Sequence, residues 1–115
     1  MKVSNVCVEK IGDVVVAVIP GEELDASNMK EFKGAVESLL ESNSKVVFDL
    51  SELQFVDSSG CGALLSCLRS MNASGGDLKL CSVTKQVRAL FELIRMHHIF
   101  DILNTKEEAV RAFRE

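Results

Sequence analysis

Runs of apolar residues along the chain predict five short β-strands. The longest run, residues 14–19, is rich in valine, which is typical of a strand buried on both faces. Residues 3–9 form a shorter strand-like segment before it, and the brief turn at residues 11–13 favours an antiparallel hairpin. Further strands are predicted at residues 46–50, at residues 78–81, and at a short edge segment that includes Ile99, Phe100 and Ile102.

Between these runs, apolar residues recur at every third or fourth position, which predicts four amphipathic helices. The first starts near Asn28, with Asp25 or Ser27 as its cap, and ends within residues 41–44. The apolar stripes are Met29, Phe32, Val36, Leu39 and Leu40 in the first helix; Cys61, Leu64, Leu65, Leu68 and Met71 in the second; Val87, Leu90, Phe91 and Ile94 in the third; and Ala109, Val110 and Phe113 in the fourth. The second helix is predicted to end at Gly75-Gly76, the third to begin after a capping Thr84, and the fourth to begin after Thr105, with Glu108 completing a capping box.

The predicted order of elements is β-β-α-β-α-β-α-β-α. Strands separated by helices pair in parallel through right-handed crossovers, and the initial hairpin makes the sheet mixed. The 115 residues of the chain are the length of one domain. We therefore predict an α/β fold: a single domain over residues 1–115, with a mixed sheet of four to five strands and about four helices. Its N-terminal edge strand is a surface through which weak dimers could form.

Composition narrows the classes of function. Apolar residues make up 47% and charged residues 26% of the chain, as in globular domains, which excludes intrinsic disorder. The net charge is −4, basic residues are scattered among acidic ones, and Trp and Tyr are absent, so direct nucleic-acid binding is disfavoured. No apolar run approaches the roughly 20 residues of a membrane span, and the N-terminus lacks the apolar core of a signal peptide. We expect a cytoplasmic protein that does not engage a membrane.

The cysteines and histidines do not form a metal-binding pattern. The four cysteines lie in apolar stretches without a Cys-x-x-Cys pair, so we predict small buried side chains rather than disulfides or metal ligands at Cys7, Cys61, Cys67 and Cys81. His97 and His98 are adjacent, so a helix would point them apart, with one at the C-terminal end of the third helix. No metal and no cofactor is predicted.

Two turns lie where functional groups gather in open α/β sheets, beyond the carboxyl ends of strands. One is residues 21–25, with the sequence Gly-Glu-Glu-Leu-Asp, and the other is residues 57–60, which lead into the second helix. Asp57 or Ser58 is predicted to cap this helix, and the glycines that follow would leave a shallow exposed surface beside the two serines. A helix cap without any further role explains the same residues.

Catalytic signatures fit the second turn poorly. Neither serine has a glycine two residues before it, as a nucleophile elbow requires. The lysine of a phosphate-binding loop is missing, and Leu65 stands where a dinucleotide fingerprint needs its third glycine. A small hydrolase that depends on a serine, or on Cys61 paired with a histidine, stays open as an alternative.

Residues 46–65 contain a specific signature: an apolar strand, Asp-Leu, and then Phe-Val-Asp-Ser-Ser-Gly-Cys-Gly. Over this string the chain resembles STAS domains, in particular the stand-alone bacterial anti-sigma factor antagonists (anti-anti-sigma factors), and the order of elements extends the resemblance over the whole chain. The chain departs from the family pattern in two places. Two glutamates lengthen the loop between Gly21 and Leu24 by one residue, and Cys61 replaces a more usual leucine, which could add redox sensitivity.

The resemblance implies a non-enzymatic switch that uses no cofactor. A partner that is both anti-sigma factor and serine kinase would phosphorylate Ser58, or less readily Ser59, and a serine phosphatase would restore the hydroxyl. Unphosphorylated protein would bind the kinase and free the sigma factor, whereas phosphate beside Asp57, facing Asp25 and the two glutamates, would oppose binding. The alternative within the family is a STAS scaffold, or a module that binds small anions or nucleotides, in a sensory or transport complex. The expected partner-binding residues are Gly21, Glu22, Glu23, Leu24, Asp25, Asp57, Ser58, Ser59, Gly60, Cys61 and Gly62.

Overall fold

The computed structural model describes residues 6–114. Its strands are β1 (Cys7–Ile11), β2 (Val14–Val18), β3 (Glu23–Leu24), β4 (Lys45–Asp49), β5 (Phe55–Val56), β6 (Asp77–Cys81) and β7 (Ile102–Leu103). Its helices are α1 (Met29–Ser42), α2 (Ser58–Ala73), α3 (Lys85–Leu93) and α4 (Lys106–Ala112), with a 3-10 turn at Met96–His98. The predicted α/β class is confirmed. In the described part of the chain, no helix has the length and apolar character needed to cross a membrane.

Five strands form one sheet in the order β1-β2-β4-β6-β7. β1 and β2 are antiparallel, with Ile11 opposite Val14 across a two-residue turn whose first residue, Gly12, has φ +64°. The other neighbouring pairs of this sheet are parallel, which confirms the predicted mixed sheet. The two-residue strands β3 and β5 form a second, parallel pair that the apolar pattern did not predict.

Different helices cover the two faces of the large sheet. Helices α1, α2 and α3 pack on one face, in a core that contains Phe32, Phe48 and Phe91. Helix α4 packs on the other face, in a smaller cluster that contains Val47 and Val110. Neighbouring residues of β4 serve both clusters because side chains alternate between the faces of a strand. The loops that precede α1 and α2 consequently lie at one end of the sheet, beyond β2 and β4.

The face under α4 holds a buried cation. Lys79 on β6 is 6% exposed, and its Nζ atom lies 2.6 Å from Asp101 Oδ2 and 3.3 Å from Asp77 Oδ2. The same atom lies 4.8 Å from the ring centre of Phe113, just beyond α4. Burial alone would lower the pKa of Lys79, but the carboxylates of Asp101 and Asp77 outweigh burial and raise it. Lys79 therefore stays charged and joins β6 to the C-terminal segment.

The helix starts agree with the sequence at three of four positions. Asp57, Thr84 and Thr105 cap α2, α3 and α4 with side-chain hydrogen bonds. The predicted cap of α1 is wrong: Asn28 holds the N-cap position without a side-chain cap bond, because Asp25 accepts bonds from Ser27 in a local turn. The capping box of α4 is shifted, since the Glu108 carboxylate accepts from the backbone N–H of Asn104 rather than Thr105.

Three further predictions need correction, and part of another, the first predicted strand, cannot be compared with the structure. Residues 3–5 of the first predicted strand lie outside the described residues, and β1 begins at Cys7. Cys7 is exposed because β1 is an edge strand, whereas the other three cysteines are buried as predicted. Helix α3 ends at Leu93, so Ile94 is 46% exposed and not part of a buried stripe. The histidine pair follows in the 3-10 turn, where both side chains are exposed with ring centres 4.2 Å apart, so His97 and His98 do not point apart.

Candidate functional site

Asp57 is the junction between the start of α2 and the loop before α1. Its Oδ1 atom accepts a hydrogen bond from the backbone N–H of Gly60 at 2.8 Å, which caps the helix. Its Oδ2 atom accepts from the backbone N–H of Ala26 at 3.2 Å. One carboxylate thus fixes the first turn of α2 and also holds the loop of residues 21–28 against it.

Backbone hydrogen bonds around the small β3–β5 sheet also hold the loop before α1 against the start of α2. The carbonyl of Glu22 accepts from the backbone N–H groups of Gln54 and Phe55, at 2.7 and 3.0 Å. The carbonyl of Leu24 accepts from the N–H of Asp57 at 3.3 Å. These bonds explain why a segment as short as β3 has a fixed position beside the helix start.

Gly60 permits this close approach. A Cβ atom at this position would collide with the carbonyl oxygen of Leu24 and would lie 2.8 Å from Val56 Cγ1. Gly60 is therefore buried, and the expectation that it exposes backbone is wrong. Gly62 is exposed as expected, with open space where a Cβ would stand.

Ser58 is the exposed hydroxyl at the site. It is the first residue of α2, while Ser59 is half-buried. Ser58 lies at a groove of about 340 Å³ between α2 and α3, which we call the Ser58 groove. Its walls are mostly aliphatic, and the lining residues are Val56, Asp57, Ser58, Cys61, Gly62, Leu65, Leu90 and Ile94.

The acidic loop forms a separate surface. Glu22 and Glu23 are exposed and line a pocket of about 600 Å³ together with Glu52. Ser58 lines the Ser58 groove and not this pocket, and Asp57, which also lines the groove, bonds to the acidic loop at Ala26. Asp25, half-buried in the same loop, accepts hydrogen bonds from Ser27 that lower the pKa of its carboxyl. Leu24 is 2% exposed and supports the loop from inside.

The Ser58 groove is poorly equipped for nucleophilic catalysis. Burial raises the pKa of the Cys61 thiol, and the nearby Asp57 carboxylate raises it further, the opposite of what an active thiolate needs. No histidine is among the described residues that line the groove. Over residues 6–114, no three His, Cys, Asp or Glu side chains come together as a metal site.

The sequence did not assign four groove residues to the site. Leu65 and Leu90 belong to the apolar stripes, Ile94 extends the stripe of α3 beyond the helix end, and Val56 is in β5. The apolar stripes in the sequence include Leu65, Leu90 and Ile94, but such stripes predict only that these residues pack in the core. The three that line the wall of α2 and α3 are exposed or half-buried because no further element among the described residues covers them.

This fold and this helix start define a STAS domain. The family model described as the STAS domain matches residues 5–109, and the chain belongs to that family. A Thermotoga maritima protein named as a candidate anti-sigma factor antagonist is 33% identical over 107 residues, which cover 91% of this chain and 95% of that protein.

Several solved structures have the same fold as this chain. The crystal structure of a candidate anti-sigma factor antagonist from Thermotoga maritima matches with a TM-score of 0.86 and 28% identity, over 96% of this chain and 95% of the other. SpoIIAA, an anti-sigma factor antagonist of Bacillus, has been solved in two forms. The unphosphorylated form matches with a TM-score of 0.74 and 24% identity, over 95% of this chain and 96% of the other. The phosphorylated form matches with a TM-score of 0.68 and 22% identity, over 94% and 98%. At these identities the SpoIIAA structures establish likeness of fold.

Proposed function

We propose that this protein is an anti-sigma factor antagonist that works as a phosphorylation-controlled interaction switch. The observation that carries the proposal is the exposed Ser58 hydroxyl, at the first position of α2 and at the rim of an aliphatic groove. The names of the relatives support the class of function. In this role the chain is the binding partner and substrate of a serine kinase and not itself a catalyst.

Unphosphorylated protein binds the anti-sigma factor through two adjoining surfaces. The Ser58 groove accepts an apolar side chain, since Leu65, Leu90 and Ile94 line it. The acidic loop, with Glu22 and Glu23 exposed, favours basic groups on the partner and gives the contact an orientation. Binding at both surfaces covers Ser58, as expected for a partner that is also the kinase. The captured anti-sigma factor releases its sigma factor.

Phosphorylation of Ser58 disrupts this interface but leaves the fold intact. A phosphate adds about −1.5 to −2 charges at neutral pH beside Asp57. Docking would then bring this charge against an aliphatic groove, where the lost hydration of the phosphate is not replaced. The fold tolerates the modification because Ser58 is exposed and a helix N-terminus favours an anion. A serine phosphatase returns the protein to its binding form.

Ser58 is preferred over Ser59 because a kinase must reach the hydroxyl. Ser58 is exposed, whereas Ser59 is half-buried behind it. Modification of Ser59 would also place a phosphate closer to the packed side of the helix, at a cost in stability. A kinase that acts on this turn is therefore expected to leave Ser59 unmodified.

The test uses tagged wild-type, Ser58→Ala and Ser59→Ala protein, incubated with source-cell lysate, ATP and magnesium. Mass spectrometry identifies the retained proteins and any phosphorylated residue. We expect phosphate on Ser58 in the wild type and in Ser59→Ala, and a kinase-like partner retained best by Ser58→Ala. Phosphate confined to Ser59, or no modified serine and no such partner, would refute the switch and favour the scaffold or anion-binding alternative.

A second pair of variants tests the groove once the partner is in hand. Ile94 and Leu93 are adjacent exposed aliphatic residues, 46% and 80% exposed, but only Ile94 lines the Ser58 groove. Ile94→Ser is expected to weaken binding of the retained partner about tenfold, the effect of losing one aliphatic anchor at an interface. Leu93→Ser is the matched control and should bind normally. Equal effects of the two variants would contradict the groove as the docking surface.

A further inference from the structure

The outer edge of β1 is a second surface with a defined pairing pattern, and it lies apart from the Ser58 groove. β1 stands at one end of the five-stranded sheet. Ile11 and Val14 flank the two-residue hairpin turn, so their backbone groups bond to each other across the hairpin. Alternation then directs the backbone N–H and C=O groups of Val6, Val8 and Lys10 away from β2, toward the open edge.

The side chains along this edge are apolar on the face that carries α1. Val8 is 53% exposed, and Val6 is half-buried. Together with Ala35 and Leu39 of α1 they line a groove of about 330 Å³ beside the strand. On the other face, Cys7 is exposed, and Glu9 is paired with Lys106 of α4 at 2.9 Å. Within residues 6–114 no strand pairs with this edge of β1, and a row of unpaired backbone groups beside apolar side chains is a template for another strand.

We propose that a second copy of this chain occupies this edge, with the two β1 strands antiparallel and Cys7 opposite Cys7 of the second copy. This register pairs Val6 with Val8 of the other copy, twice by symmetry, and so brings four valines together on the α1 face. The same edge serves both copies, as an isologous two-fold interface requires. The pairing joins the two sheets into one without using the Ser58 groove.

Charge and pairing geometry select this register over its neighbours. Centring the pair on Glu9 or on Lys10 places like charges directly opposite each other, which is destabilising. Centring it on Val8 sets Val6 against Lys10 and Cys7 against Glu9. The register centred on Cys7 makes two valine pairs, against the single Val8–Val8 pair of the register centred on Val8, and it keeps the charged residues away from the centre.

A disulfide between the two Cys7 residues would report directly on the proposed register. At the outer edge Cys7 occupies a non-hydrogen-bonded position, where directly opposite Cα atoms lie about 4.5 Å apart. That separation falls within the range of about 4.4–6.8 Å that a disulfide spans. In the register centred on Val8, each Cys7 would lie opposite Glu9, and the two thiols would be too far apart to join. Cys61, Cys67 and Cys81 are buried and do not compete.

The experiment oxidises the purified full chain with diamide over a series of protein concentrations and follows the covalent dimer on non-reducing gels. The two Cys7 thiols lose two protons and two electrons to the azo bond of diamide, which becomes a hydrazine. We expect a dimer that forms faster at higher protein concentration, that reductant reverses, and that Cys7→Ser abolishes. Val8→Lys should slow its formation about tenfold, since both valine pairs are lost.

Phe55→Lys is the matched control, because Phe55 is also about half exposed, at 52%, but lies in β5, away from this edge. This variant should form the dimer at the wild-type rate. Sedimentation of the reduced protein adds a measurement without oxidation: wild type should associate weakly and Val8→Lys should stay monomeric. A wild type that is monomeric at its highest soluble concentration would overturn the proposal. So would cross-linking that Val8→Lys leaves unchanged, or a dimer that sediments but does not cross-link through Cys7.

Discussion

Replacing Gly60 by alanine tests how the site is assembled. A Cβ at Gly60 would collide with the carbonyl oxygen of Leu24 and lie 2.8 Å from Val56 Cγ1. The first atom belongs to the β3 backbone and the second to a side chain that is 1% exposed, so neither can move without cost. Forcing extra volume into such a site typically costs about 1–3 kcal/mol. The gain in helix propensity from glycine to alanine, at most about 1 kcal/mol, only partly offsets this cost.

Gly62→Ala and Gly34→Ala are the matched controls. Both glycines lie in helices, α2 and α1, and a Cβ at either one would meet no atom within 4 Å. Both variants should be more stable than wild type by about 0.5–1 kcal/mol, since only the helix propensity changes. Because the gain in helix propensity is common to both variants, the free energies of unfolding of Gly60→Ala and Gly62→Ala should differ by the overpacking cost, about 1–3 kcal/mol. In a domain of this size that corresponds to roughly 10 °C in melting temperature.

The assay is urea unfolding followed by circular dichroism, with thermal melts as a second measure. Amide exchange adds a local readout: in Gly60→Ala, the N–H groups of Ala26 and Asp57 should lose protection first, because they bond across the strained junction. If Gly60→Ala is as stable as Gly62→Ala, the close packing of Leu24 on α2 is wrong. The account of the acidic loop as fixed beside Ser58 would fail with it.

Two other predictions concern a cap and the buried thiols. Thr84→Ala should lower the free energy of unfolding by about 1–2 kcal/mol, because the Thr84 hydroxyl both caps α3 and donates a hydrogen bond to the carbonyl of Leu53 at 2.8 Å. Thr105→Ala removes only an exposed cap and should lower it less. Urea unfolding compares the two variants, with Thr84→Ser as control, and equal losses would contradict the role of the Leu53 bond. Burial raises the pKa of Cys67 and of Cys81 from 9.0 to about 11, so the folded state holds these protons more tightly than the unfolded state. The free energy of unfolding should be at its maximum below pH 9 and should fall as the pH rises toward 11, by up to about 2–3 kcal/mol for each thiol. Replacing either cysteine by alanine should reduce this decline, which is measured by unfolding at a series of pH values. A decline that both alanine variants retain in full would show that other groups cause it.

The sequence predicted most of the fold because its strands and helices have clear periods. The run at residues 14–19 corresponds to β2, buried through most of its length, and the stripe through Phe32 and Val36 corresponds to the buried face of α1. The β3–β5 pair was missed because two residues are too short to show any alternation. Its existence depends on contacts between segments about 30 residues apart, which no local pattern encodes.

Exposure within the site was harder to predict than its location. The Asp-Ser-Ser-Gly turn was found from its residues, but the roles of its glycines were not separable by sequence: Gly60 is buried under Leu24, and Gly62 faces solvent. In the same way, the stripe of α3 mixes Phe91, 0% exposed, with Ile94, 46% exposed. An apolar period indicates which residues share a face of a helix, and only the packing of the whole chain decides how far that face is covered.

The surroundings of Ser58 decide how the proposed switch would work. If Ser58 faced the glutamates, repulsion between like charges would by itself explain the loss of binding after phosphorylation. Because Ser58 lies at an aliphatic groove and does not line the pocket of the glutamates, the larger effect is expected from the hydration that a phosphate must give up on docking. Repulsion between exposed charges weakens as salt screens it, but a desolvation cost does not. Loss of partner binding by phosphorylated protein should therefore persist at high ionic strength, and binding restored by salt would return the explanation to the acidic loop.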